Sequence, residues 1–136
     1  MIPSPTSTNG TRKQIGAHMQ TFDTWDVIKV PFPYTDRPVR ERRPALVVAS
    51  GSIQERHGLL WVMMITSSEN RGWPGDVAIT DLKVSGLPVA SLVRTAKIAP
   101  IEAKESDRVG ILPSADREAV STHLQTVLAG ALETRR

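Results

Sequence analysis

Glu41-Arg42-Arg43-Pro44-Ala45-Leu46-Val47-Val48 is the stretch that decides the fold. A charged segment passes through an Arg-Pro pair straight into an apolar, β-branched run. From Pro44 to Ala49 no polar residue interrupts that run, so it reads as a continuously apolar strand, central in a sheet. Pro44 has no N–H and holds Arg43 in extended geometry, which fixes where the arginine side chain starts. Arginine offers five donors in a planar fork and stays charged, so a phosphate is a natural ligand. A salt bridge at a strand edge is the plainer use of the same residue.

Upstream, Asp26-Val27-Ile28-Lys29-Val30-Pro31-Phe32 puts Ile28, Val30 and Phe32 on one strand face and Val27 and Lys29 on the other. Pro31 predicts that this strand stops at an edge or a bulge, and Pro33 to Arg42 reads as a charged loop. Downstream, Gly51 to Gly58 reads as a turn and Leu59-Leu60-Trp61-Val62-Met63-Met64-Ile65 as a second buried strand. Glu69 to Gly75 is a loop containing Gly72-Trp73-Pro74-Gly75. Short strands are expected at 76–80 and 90–94, with Gly86-Leu87-Pro88 between them, and another at 97–101. The period changes only at the end. Ser114 reads as an N-cap with Asp116 in the first turn, and Val120, Leu124, Val127 and Leu128 recur at helical spacing to about Ala129. Several short strands and one amphipathic C-terminal helix predict a small, mostly β, barrel-like fold. No βαβ alternation supports a Rossmann or P-loop reading.

The 136 residues suit one domain with its own core. That domain is expected over 21–131, after a leader at 1–20 and before a flexible tail at 132–136. The leader is rich in Ser, Thr, Pro and Asn and reads as disordered; its Gly16-Ala17-His18-Met19 has the look of a tag remnant. With 0 cysteines, disulfides and thiolate metal sites are excluded. No apolar run reaches signal-core or membrane-spanning length, which predicts a cytoplasmic protein without membrane contact. The formal charge of +3 belongs to the ends. Without Arg12, Lys13, Arg135 and Arg136, the other 13 basic residues (17 less four) face 14 acidic ones, a net of −1. A phosphate-binding surface would have to come from local clustering, as in Lys29, Arg37, Arg40, Arg42, Arg43 and Arg56.

Familiar catalytic constellations are missing. His18 lies in the leader, His57 in a turn and His123 on the polar side of the helix, and no pair has metal-ligand spacing. Neither a metal nor a cofactor is expected, and a Ser-His-Asp hydrolase is disfavoured. What remains is Arg43 together with Ile65-Thr66-Ser67-Ser68, where a buried run turns abruptly into three hydroxyls. A hydroxyl at that point can simply hold the turn. An arginine and a threonine also suffice for one metal-free reaction, the attack of an RNA 2′-hydroxyl on its adjacent phosphate. RNA supplies the nucleophile, and the protein aligns it and stabilises the charge. DNA lacks that nucleophile.

In their order and spacing these residues resemble the MazF/PemK family of toxin endoribonucleases from type II toxin–antitoxin systems. The resemblance runs from about Asp26 to Leu128. It is carried by Asp26 to Asp36, Arg43-Pro44, Ile65-Thr66-Ser67-Ser68, Gly72-Trp73-Pro74, Ser91-Leu92-Val93-Arg94, Lys97-Ile98 and Arg108 to Leu112. It implies an SH3-like β barrel of the MazF/CcdB type with a C-terminal helix, acting as a homodimer to which Trp61 or Met63 would contribute. It implies metal-independent cleavage of single-stranded RNA to a 2′,3′-cyclic phosphate (or 3′-phosphate) and a 5′-hydroxyl, and inhibition by the acidic, largely disordered segment of a cognate antitoxin. Arg43 and Thr66 match the family's catalytic residues. Lys29, Arg42, Ser67, Arg94 and Lys97 are candidate contacts to neighbouring phosphates or bases, and Trp73 a candidate for stacking. Trp25 stands where the family has glycine, so that turn is expected to be built differently. Two other readings stay open: a CcdB-like toxin that binds gyrase without cutting RNA, and an inactive relative that binds nucleic acid or a peptide.

Overall fold

The two apolar runs pair with each other. In the computed structural model, which describes residues 20–31, 41–70 and 72–133, β2 (Arg42–Ala49) and β3 (Leu59–Ser67) are antiparallel. Ala45 faces Met64 and Val47 faces Val62. The strand β1 (Asp26–Pro31) flanks β2, and the 12-residue β5 (Ser91–Glu102) flanks β3. With β4 (Val77–Ala78) and β6 (Asp107–Ile111) at the margins, the order is β4-β5-β3-β2-β1-β6. The leader before residue 20, Phe32, the 33–40 part of the charged loop with Arg37 and Arg40, and residues 134–136 lie outside the described residues.

Both faces of the sheet carry a core, as the unbroken apolar run from Pro44 requires. Ala45 and Val47 join Phe22, Ile28, Val30, Leu60 and Val62 on one side. Leu46 joins Val27, Met63, Ile65, Val93, Leu112 and Val120 on the other. Bulges make the sheet curl. The largest separates Met63, opposite Ile98, from Met64, opposite Arg94, so residues 95–97 are the extra residues of a bulge in β5. The two strands expected at 90–94 and 97–101 are therefore one strand, bent where the extra residues sharpen its twist. The result is a curled half-barrel with a helix at the end of the chain. The described part of β1 runs to Pro31, which pairs with Arg42, beyond Lys29, the last residue that pairs with β6.

Other expectations need correction. The turn from Gly51 to Gly58 contains a helix, α1 (Ser52–His57), closed by Gly58 in the left-handed conformation at φ 68°. The strand expected at 76–80 shrinks to Val77–Ala78. It is followed by α2 (Leu82–Ser85), whose N-cap Asp81 accepts from the N–H groups of Lys83 and Val84. This short helix crosses β6 with glycine against backbone. A Cβ at Gly86 would stand 2.0 Å from the carbonyl oxygen of Val109, and one at Gly110 2.3 Å from Ser85. In α3 (Ser114–Leu132) the cap is Pro113 and not Ser114. Asp116 is buried and accepts from Thr80 N–H at 2.9 Å and Thr80 Oγ1 at 3.2 Å, which ties the helix to the sheet margin. Val120 is buried and Leu124 packs beside it, but Val127, Leu128 and Leu132 are exposed. Only the first half of the helix is seated. Among the described residues no helix is long and apolar enough to cross a membrane.

Trp25 takes a backbone conformation that suits glycine. Its φ is 83°, the one positive value outside glycine among the described residues. Its N–H donates to Val47 and its carbonyl accepts from Leu112 N–H, both at 2.8 Å, while the ring packs on the second core. Asp26 beside it is buried and accepts from Asp23 N–H at 2.8 Å and from Arg108 Nε and Nη2 at 3.0 and 2.8 Å. That partner raises the pKa of Arg108. Met63 is fully buried, so of the two residues expected to help a dimer only Trp61, 42% exposed, reaches the surface.

Candidate active site

Strand pairing sets Arg43 and Thr66 at the same end of β2 and β3. The β2–β3 ladder ends at Ala45 opposite Met64. Arg43 lies two residues beyond Ala45, and Thr66 two beyond Met64, toward the same end of the two strands. Steps of two keep a side chain on its face of the sheet, so both project from the face that carries Ala45 and Met64. Arg43 is half exposed and pairs with Glu41 at 2.8 Å. Both partners are open to solvent, so this ion pair is weak and a phosphate can displace it. Thr66 is half-buried, and its Oγ1 accepts from Asn70 Nδ2 at 3.0 Å.

Asn70 closes the 3-10 turn Ser68–Asn70 that follows β3. Its carbonyl accepts from Arg94 Nη2 at 2.6 Å. Arg94, at Met64's register position on β5, is itself buried. It forms a two-pronged pair with Asp76, Nε to Oδ1 at 3.2 Å and Nη2 to Oδ2 at 2.9 Å, and its guanidinium lies 4.4 Å from the Trp73 ring centre. Asp76 also accepts from Trp73 N–H at 3.3 Å. The hydrogen bond from Arg94 lowers the pKa of the Asp76 carboxyl, against the opposing push of burial, and the same bond raises that of Arg94. Arg94 and Trp73 therefore brace the Thr66 turn.

The other expected contacts are scattered. Ser67 alternates with Thr66, and its Oγ accepts from Glu69 N–H at 3.2 Å. Lys29 and Arg42 alternate with Val30 and Arg43, which face each other, so they project from the opposite face. Arg42 is tied to the carbonyl of Lys29 at 3.0 Å and to the carboxylate of Asp107. Lys97 sits in the β5 bulge, away from Leu92, the partner of Thr66. Asn70 and Asp76 were not singled out from the sequence. The signal for Asn70 is an amide four residues after the strand-end threonine, at a turn; Asp76 gives none. Among the described residues no three His, Asp or Glu side chains gather as metal ligands would.

An arginine and a threonine at the same end of paired strands are groups that can receive a phosphodiester. The chain matches, over residues 23–128, the family described as PemK-like, MazF-like toxin of type II toxin-antitoxin systems. No curated protein matches it by sequence. Among solved structures it is similar to MazE–MazF (Form-III) from Deinococcus radiodurans, at 20% identity and a TM-score of 0.65, covering 81% of this chain and 98% of that one. It is similar to an endoribonuclease in complex with its cognate antitoxin from a mycobacterial species, at 19% identity and a TM-score of 0.61, covering 82% and 97%. It is also similar to the Mycobacterium tuberculosis toxin MazF-mt6, at 19% identity and a TM-score of 0.57, covering 79% and 98%. At these identities the likeness is one of fold.

Proposed function

This chain belongs to the PemK-like, MazF-like family of type II toxins, and from that premise we propose that it is a metal-independent endoribonuclease acting on single-stranded RNA. The observation that carries the reading is the placement of Arg43 and Thr66 at the same end of paired strands. The RNA 2′-oxygen attacks the adjacent phosphorus and loses its proton, the bond to the 5′-oxygen breaks, and that oxygen leaves protonated. The products are a 2′,3′-cyclic phosphate, which water can open to a 3′-phosphate, and a 5′-hydroxyl. Arg43 stabilises charge on the phosphorane oxygens; a guanidinium that stays protonated is unsuited to abstracting the 2′-proton. Thr66 donates to a phosphate oxygen and sets the scissile group in line. Single-stranded RNA is the substrate because in-line geometry and base contacts both need an unstacked chain.

A gyrase-binding toxin would need neither side chain at this place, so the arrangement favours the nuclease. The partners follow from the family: a cognate antitoxin with an acidic, largely disordered inhibitory segment, and a second copy of the chain, with the cytoplasm as the site of action. The test is incubation with single-stranded RNA and matching DNA in EDTA. The expected result is RNA cut to cyclic-phosphate ends with DNA intact. Cleavage of both, or a strict need for Mg²⁺ in the chemical step, would overturn the proposal.

A further inference from the structure

We propose that Asn70 is a positioning residue that sets the direction of the Thr66 hydroxyl proton, and that Arg94 and Asp76 hold it in place. The inference deepens the reading above and rests on Thr66 as the donor to the scissile phosphate. A threonine hydroxyl has one proton and two acceptor lone pairs. At a strand end that proton has carbonyls close by, and a local bond to one of them would consume it. Here Asn70 Nδ2 donates to Oγ1 at 3.0 Å. One lone pair is thereby occupied from the turn side, and the O–H is left to point elsewhere, toward the open end shared with Arg43.

An amide performs this task only if it is held still. The Asn70 backbone is held through its carbonyl by Arg94 Nη2 at 2.6 Å. Arg94 is fixed in turn by both carboxylate oxygens of Asp76 and by the Trp73 ring 4.4 Å away. The Arg94 and Asp76 side chains are each only 10% exposed, whereas Asn70 itself is exposed. A buried, two-pronged ion pair thus supports one surface amide whose side chain bonds to Thr66. That use of a buried pair fits its fork geometry, which specifies orientation better than a point charge does.

The experiment is a mutant cycle on cleavage of a defined single-stranded RNA oligonucleotide under single-turnover and steady-state conditions. Asn70→Ala should lower kcat about tenfold, the size of one neutral hydrogen bond, with KM changed less than about twofold. Asn70→Asp has almost the same shape but can only accept, so it draws the Thr66 proton to itself. It should cleave more slowly than Asn70→Ala while its Tm stays close to that of the wild type. A residue that merely supported the fold would show the reverse order, with the isosteric change the milder one. In a Thr66→Ala background, adding Asn70→Ala should cost nothing further. Normal cleavage by both Asn70 variants beside an inactive Thr66→Ala would overturn the inference alone, as would a full additional loss in the double mutant. Wild-type cleavage by Thr66→Ala would overturn the assignment of Thr66, and the role of Asn70 with it.

Discussion

Arg43 and Trp25 show at the residue scale what a sequence can reveal. Arg43 stood out because Pro44 fixes its backbone and an apolar strand follows. Its exposed pairing with Glu41 adds little stability, so Arg43→Ala should fold normally. Cleavage should drop about 10²–10³-fold, the usual consequence of losing a transition-state donor. Arg43→Lys keeps the charge but not the fork and should fall between the two; equal rates for all three would remove Arg43 from the chemistry. Trp25 was legible only as an anomaly, because its identity says nothing about its φ. The left-handed conformation at 83° costs an alanine about 1 kcal/mol and glycine almost nothing. Both Trp25→Gly and Trp25→Ala lose the ring from the second core and should be less stable than the wild type. Glycine should nevertheless be the better replacement by about 1 kcal/mol in urea unfolding. The opposite order would show that the turn carries no strain.

Among the elements, the strands around the site were readable and the brace behind it was not. Runs such as Pro44 to Ala49 and Leu59 to Ile65 announce buried strands by composition alone. The bend in β5 left no mark, since Thr95, Ala96 and Lys97 resemble the end of one strand as much as a bulge within it. The partner of Arg94 left none either: sequence gives its charge but not Asp76, 18 residues away. Asp76→Asn should destabilise the fold, since it leaves the covered Arg94 guanidinium without its carboxylate. The carboxyl ordinarily titrates near 3.8 and is lower in the folded chain. Its contribution is therefore complete above about pH 4 and fades as the pH falls through the folded value. Acid unfolding followed by circular dichroism should show this component in the wild type and lose it in Asp76→Asn.

For the molecule as a whole, the formal charge of +3 belongs to the chain ends, so attraction to RNA depends on local cations such as Arg43. An acidic antitoxin segment should compete for the same place, and association of either should slow as salt rises. Titrating a candidate antitoxin during cleavage checks this; full activity at saturating antitoxin would place the two on separate surfaces. The overall architecture was legible because strand composition and one terminal helix leave few alternatives. Which half of that helix would be seated was not, since Val127 and Leu128 carry the same pattern as Val120 yet are exposed among the described residues. One consequence follows from where Arg43 and Thr66 stand. Neighbouring strands of a single sheet carry them, so the folding that pairs those strands also sets both at one end. Such an enzyme is armed from birth and has no resting posture of its own. Restraint must be imposed from outside, by something seated across the strand ends or by destruction of the chain itself.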